Sequence, residues 1–485
     1  MAPNAAGPNA DSAVLSPARD LSRLLVPSMR VHQKSPLKAV MGSPTLEMIN
    51  MAGGMPSPAT FPLVQLQAQV RVPGRGAGEP AATLVLDKER QSGSAEALDT
   101  MLQYGDGRGV DSLCSFLRAH TQQAHSPQYA DWEVITSCGS TDAIAKVISL
   151  FCDAGDALAV ERWTFPGALS SLARAGVAPV AVDMDDEGML PEALDRVCAA
   201  RSAGGAPLHA VYVVPTGQNP TGATMSLARR KAVYAVAQKH DLVIIEDDPY
   251  YFLQIGPAAA APDSGEAGAA ASDGYDSGCD ATGGEARDPA LLPSLLSLDT
   301  DGRVIRLDSF SKILAPNLRC GWITGPAYLL DRVQILNEST ILQPSGLSQG
   351  VVSKMLNDTW GMDGWNAHLR DLRAEYRLRR DLFVQIAAKH LDGLAEFAVP
   401  TAGMFVWLRV RLGTDPGAMQ RLLAAMNKVG VMMAPEMPFN SCGAAAGPAA
   451  PGPDRYLRAA FALVDTDMYE PALKRLAQSI RTATA

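Results

Sequence analysis

From residue 110 to 250, short apolar and β-branched runs alternate with stretches whose apolar positions recur every three or four residues. The short runs predict strands at Trp132–Ser137, Ala157–Glu161, Val180–Asp183, His209–Pro215 and Leu242–Glu246. The helical period predicts helices at Val110–Gln123, Thr141–Phe151, Ala168–Ala175, Pro191–Ala200 and Ser226–His240. This alternation predicts an α/β fold, a mostly parallel sheet with helices on both faces. Such sheets bind ligands beyond the carboxyl ends of their strands. The residues that follow each strand are therefore the first candidates for chemistry.

The pattern breaks at 256–290, where Ala, Gly, Ser and Asp dominate and large apolar side chains are almost absent. Such a stretch cannot bury enough surface to offset its ordering entropy, and a disordered surface insertion is expected. Asn440–Pro453 reads the same way. Sheet-type sequence resumes at Arg303–Leu307. Beyond about 345 the pattern predicts a small α+β domain. It has a long helix (Asp358–His390), strands at Phe397–Val399, Met404–Val410 and Leu457–Phe461, and helices at Pro416–Val429 and Glu470–Arg481.

Composition narrows the function. The 485 residues carry a formal charge of −9, which argues against nucleic acid as the main partner. No run approaches the roughly 18 apolar residues of a membrane helix. Seven cysteines without CxxC or Cys/His spacing read as reduced thiols, with no metal site, and place the chain in the cytoplasm. Residues 1–30 are rich in Ala, Ser and Pro, but Asp11 and Asp20 leave only a weak organellar-import pattern, and a disordered extension over 1–34 is expected.

The chemistry concentrates in the string Asp308 to Trp322, just after the strand Arg303–Leu307. There Lys312 lies among Ser309, Ser311 and Arg319. Hydroxyls and an arginine fork form a phosphate cradle. A lysine in a partly dry, cationic site becomes a nucleophilic amine. A phosphate-bearing aldehyde would form a Schiff base with it, the arrangement of pyridoxal phosphate (PLP) enzymes.

Eight strings in order carry a resemblance: SPLK (35–38), AGGMPSPATFP (52–62), QYGDGRG (103–109), GSTDAI (139–144), PTGQNPTG (215–222), EDDPYYFLQ (246–254), SFSKILAPNLRCGW (309–322) and YLRAAF (456–461). With them the chain resembles the fold-type I PLP-dependent aminotransferases. Within these it is similar to the fungal-type aromatic amino-acid aminotransferases and the kynurenine/2-aminoadipate aminotransferases. The resemblance implies an N-terminal arm over the active site (35–62), a large PLP-binding domain with a seven-stranded sheet (63–345) and a small C-terminal domain (346–485).

Residue by residue, the resemblance implies that Lys312 carries the cofactor, Asp247 faces the pyridine nitrogen, and Tyr250 and Asn219 contact the ring oxygen. It implies that Ser140, Thr141, Ser309, Ser311 and Arg319 hold the phosphate and that Phe165 stacks on the ring. Arg458 would take the substrate α-carboxylate, and Gly54 would let substrate approach the backbone. Tyr104 would reach the phosphate of a neighbouring subunit, so a homodimer is implied. Lys38 would offer a cation to a distal carboxylate, where some relatives carry Arg. Plainer readings stand beside several of these: an N-cap for Ser140, a turn for Asn219, a core aromatic for Phe165, a cap for Asp248, a structural residue for Tyr104 and an exposed cation for Lys38.

The implied reaction is ping-pong transfer of an amino group from an aromatic amino acid, 2-aminoadipate or kynurenine to 2-oxoglutarate through a Schiff base. The rivals are another PLP reaction on the same fold, such as a C–S lyase or decarboxylase, and a non-catalytic PLP-fold sensor.

Overall fold

The computed structural model describes residues 15–33, 54–74, 79–88, 97–258, 288–415, 417–442 and 454–484. Seven strands form the large sheet: β1 (Trp132–Ser137), β2 (Ala157–Glu161), β3 (Ala178–Val182), β4 (Ala210–Val213), β5 (Val243–Asp247), β6 (Val304–Ser309) and β7 (Gly321–Pro326). Their spatial order is β1-β7-β6-β5-β4-β2-β3. Pairing is parallel except for β7, which runs antiparallel to both β6 and β1. Strands β2, β4, β5, β6 and β7 are buried along their whole length, as expected for a sheet covered on both faces.

Local signals explain several helix ends. The helix Pro166–Ala175 opens with proline at its first turn and closes on Gly176 in the left-handed region. Leu227–Lys239 starts where the Ser226 hydroxyl accepts the Arg229 N–H at 3.2 Å. Among the described residues no helix is long and apolar enough to cross a membrane.

A second, antiparallel sheet takes the order Ala395–Glu396, Phe405–Arg411, Asp454–Ala460, Ala434–Pro435. It has its own apolar core with Phe383, Leu473 and Leu476. Val352, Leu356, Trp365 and Leu369 belong to the core of the large sheet. The change of core therefore falls within the long helix Gly361–Leu391.

Several expectations need correction. Residues 15–33 of the expected disordered extension are ordered. Leu21, Leu24 and Leu25 sit in the main core. Val26 N–H donates to the Leu150 carbonyl at 2.8 Å, and Ala18 N–H donates to Asp131 at 2.5 Å. The Ala, Ser and Pro content conceals three leucines, each contributing about 1.5–3 kcal/mol on full burial. The strand expected at Phe397–Val399 lies instead at Ala395–Glu396, set by pairing of these residues with Val410 and Arg409; beyond it the chain leaves the ladder and the Pro400 carbonyl accepts from Arg380 at 2.6 Å.

The margins of the expected insertion are also structured. Gly256 and Pro257 carbonyls accept from Arg380, and Asp288 pairs with Arg373. Residues 259–287 lie outside the described residues, as do 443–453 of the second loop. At the start of that loop, Ser441 N–H donates to the Arg162 carbonyl at 2.9 Å. A hairpin of Gln65–Val70 with Ala82–Asp87 adds a strand pair that the sequence pattern had not indicated.

Candidate functional site

The carboxyl ends of the large sheet converge on a cavity of about 410 Å³. Ser140 and Thr141 reach it from the helix after β1, Phe165 from the segment after β2, and Asn219 from the loop after β4. Asp247 and Tyr250 arrive from β5, and Ser309, Ser311, Lys312 and Arg319 from the end of β6 and the turn to β7. Arg458 comes across from the small sheet, with Phe405 beside it. The sequence-predicted residues thus meet in one place, except for three. Tyr104 is exposed, and a Cβ on Gly54 would meet no described atom within 4 Å; neither residue lines the cavity. Lys38 lies outside the described residues.

Asp247 ends a fully buried strand and is itself buried. Its Oδ2 accepts from the Tyr212 hydroxyl at 2.6 Å. Its Oδ1 is buried and has no partner among the described residues. Burial raises its pKa to about 7, against a smaller lowering by the Tyr212 hydrogen bond. An acceptor buried without a donor is costly, so the site is complementary to a cationic N–H placed there.

Asp248 turns away from the cavity. Its Oδ2 accepts from Thr216 Oγ1 at 3.0 Å and from Arg306 Nη1 at 3.2 Å. Arg306 is fully buried and also pairs with Glu246 at 3.2 Å and Asp308 at 2.8 Å. The cap reading of Asp248 gives way to this buried ion network, because Arg306 lies within reach from the neighbouring strand.

Lys312 is half-buried, and burial, then the Arg458 and Arg319 charges, lower its pKa. That shift favours the free amine. Around it the hydroxyls are chained: Ser309 Oγ donates to Ser311 Oγ at 2.9 Å, and Arg319 Nη1 donates to Ser311 Oγ at 3.4 Å. Arg319 Nη2 donates to the Cys138 carbonyl at 2.9 Å. Gly139 makes this approach feasible. Its φ is +80°, and a Cβ there would lie 2.5 Å from Arg319 Nη2. Gly139 is also the cap of the helix Ser140–Phe151, with no side-chain cap bond. The N-cap role considered for Ser140 is thus taken by glycine, and Asp142 satisfies the Cys138 N–H at 3.0 Å. Serine hydroxyls, a helix N-terminus and a guanidinium form an anion cradle.

Asn219 Oδ1 accepts from Arg458 Nη1 at 2.7 Å, and Asn219 lines the cavity together with Tyr250. The Arg458 guanidinium lies 4.4 Å from the Phe405 ring centroid and 4.9 Å from that of Phe439. Its Nε is buried with no partner among the described residues. A stacked guanidinium with an unspent donor suits a carboxylate. The loop that presents Asn219 is pressed against the small domain: a Cβ on Gly217 would lie 2.6 Å from Gly403 Cα.

Sequence reading missed Tyr212, Glu161 and Gln218, which stand behind the cavity wall. Glu161 ends the buried strand ALAVE as its only carboxylate. For Glu161, a lone charge at the carboxyl end of an apolar strand was the available signal.

The profile of the aminotransferase class I and II family matches residues 76–476. An aromatic amino acid aminotransferase of Schizosaccharomyces pombe is 35% identical over 404 residues, covering 81% of this chain and 82% of its own. An L-tyrosine:2-oxoglutarate aminotransferase of Tapinella panuoides is 36% identical over 412 residues, covering 82% of this chain and 75% of its own. The crystal structure of an aminotransferase from Candida albicans superposes with a TM-score of 0.84 at 33% identity, covering 97% of this chain and 99% of that one.

Proposed function

The chain belongs to the class I and II aminotransferases, and from that premise we propose that it transfers the amino group of an aromatic amino acid, 2-aminoadipate or kynurenine to 2-oxoglutarate, using pyridoxal 5′-phosphate. When bound, this cofactor supplies an electrophilic carbon for the amine and an electron sink for the substrate Cα. The orphan Oδ1 of Asp247 is the observation that carries the reading, because Asp247 lines a cavity that also holds an anion cradle and Lys312, whose pKa burial lowers.

The residues divide the work as follows. Asp247 Oδ1 holds a proton on the ring nitrogen. The cradle of Ser140, Thr141, Ser309, Ser311 and Arg319 binds the phosphate. Phe165 covers a ring face, and Tyr250 with Asn219 orients the ring oxygen. Arg458 takes the substrate α-carboxylate through its unspent donors. Lys312 Nζ would take the proton from the substrate Cα and deliver it to the carbon that was the cofactor's aldehyde, acting as base and then as acid. Thr141 and Arg319 are exposed in the single chain. Tyr104, exposed and outside the cavity, would close that side from a second copy in a homodimer.

The test is a panel of amino donors with 2-oxoglutarate, followed by glutamate formation. Turnover with tyrosine, phenylalanine, tryptophan, 2-aminoadipate or kynurenine supports the reading. No glutamate from any of them rejects the substrate class.

A further inference from the structure

Resting on the function proposed above, we infer that Glu161 and Gln218 form a buried clamp that positions Asn219, and through it the ring-oxygen and carboxylate contacts of the active site. Neither residue lines the cavity. Both are fully buried.

Gln218 precedes Asn219 and uses its polar groups to lock the turn. Its Nε2 donates to Glu161 Oε2 at 3.0 Å and to the Trp163 carbonyl. Its Oε1 accepts from Thr221 N–H at 2.9 Å and from Thr221 Oγ1 at 2.7 Å. Its backbone N–H donates to the Ala223 carbonyl at 2.8 Å. With Gln218 pinned on both sides, Asn219 projects toward Arg458 and Tyr250 in one orientation.

Glu161 is the anchor on the neighbouring strand. Its Oε2 also accepts the Val214 N–H at 3.3 Å, so it holds the strand end from which the loop departs. Its backbone carbonyl accepts from the Thr164 hydroxyl, one residue before Phe165. The Glu161 carboxyl therefore holds the strand end and Gln218, and Gln218 in turn ties the loop carrying Asn219 to the Trp163 carbonyl in the segment that leads to Phe165. Burial raises the Glu161 pKa to about 8, so its side chain is neutral through the lower neutral range. A neutral amide of the same shape should then replace it.

The experiment reads the pH titration of the bound cofactor's absorption, together with kcat and KM, in the PLP-loaded enzyme. A donor on the ring oxygen lowers the basicity of the nitrogen conjugated to it, so loss of Asn219 alignment should raise the titration midpoint. Glu161→Leu, Gln218→Leu and the reference variant Asn219→Ala should each raise it by about one pH unit, and the two leucine variants should lower kcat about tenfold. Glu161→Gln should stay within about twofold of the parent enzyme, since hydrogen bonding from Val214 and Gln218 needs only an acceptor. Thr221→Val removes one of the turn's bonds and keeps the core intact, and it should move the midpoint in the same direction by a smaller step. If Asn219→Ala moves the midpoint while the folded Glu161→Leu, Gln218→Leu and Thr221→Val proteins do not, the clamp is refuted and the proposed function survives. If the parent protein shows no pH-dependent cofactor absorption, both fail.

Discussion

The Tyr212 hydroxyl donates to Oδ2 of Asp247 at 2.6 Å, while Oδ1 of the same carboxylate is buried without a donor. One oxygen is spent on the protein and the other is kept for a ligand. The phenol lowers an Asp247 pKa that burial pushes up to about 7. Tyr212→Phe removes that lowering and extends the protonated, inactive form to higher pH. The acid limb of kcat/KM against pH should move up by about one unit, with little change on the alkaline side. An unmoved limb would mean that Tyr212 does not govern the Asp247 charge.

Arg458 is held by Asn219 and stacked on Phe405 and Phe439. Arg458→Lys keeps a cation but loses the planar fork. KM for both amino acid and oxo acid should rise about 10- to 100-fold, with cofactor affinity nearly unchanged. Steady-state kinetics with a cofactor-binding titration separates the two effects.

Asp247 and Glu161 make the cofactor-free protein sensitive to pH. Their ordinary values of 3.8 and 4.5 rise to about 7 and about 8 in the fold. Between those limits the folded state binds more protons than the unfolded state, so stability falls as pH rises and the penalty is complete above the folded values. Thermal melts of the apoprotein should show a lower midpoint at pH about 8.5 than at about 6 from these two groups, and Glu161→Gln should flatten the difference.

Leu21 is fully buried in the main core, and its N–H donates to the Tyr328 hydroxyl at 2.9 Å. Leu21→Ala should destabilise the protein by about 2–5 kcal/mol, read by denaturant titration. A change within error would show that residues 15–33 do not clamp the fold.

The cavity was largely legible because most of its residues follow strand ends of the large sheet in short contiguous strings. Lys312, Asp247 and Asn219 meet for that reason, whereas Arg458 comes from within a strand of the small sheet. Contacts between strings were not legible. Tyr212 lies inside an apolar strand, and only the pairing of β4 with β5 brings it to Asp247. Glu161 and Gln218 are 57 positions apart, and their bond exists only in the folded sheet. Strand β7 escaped notice because Gly321, Gly325 and Pro326 mask its period. Gly321 is needed there, since a Cβ would lie 2.6 Å from the Asp308 carbonyl oxygen. Leu21 to Val26 were hidden by averaging composition over a longer segment.

The central claim is that Lys312 carries pyridoxal phosphate in this cavity. Borohydride reduction of the PLP-loaded protein, followed by peptide mapping, tests it most directly. The account predicts a pyridoxyl group on the peptide containing Lys312, absent from Lys312→Ala. A label on another lysine, or none, would contradict it.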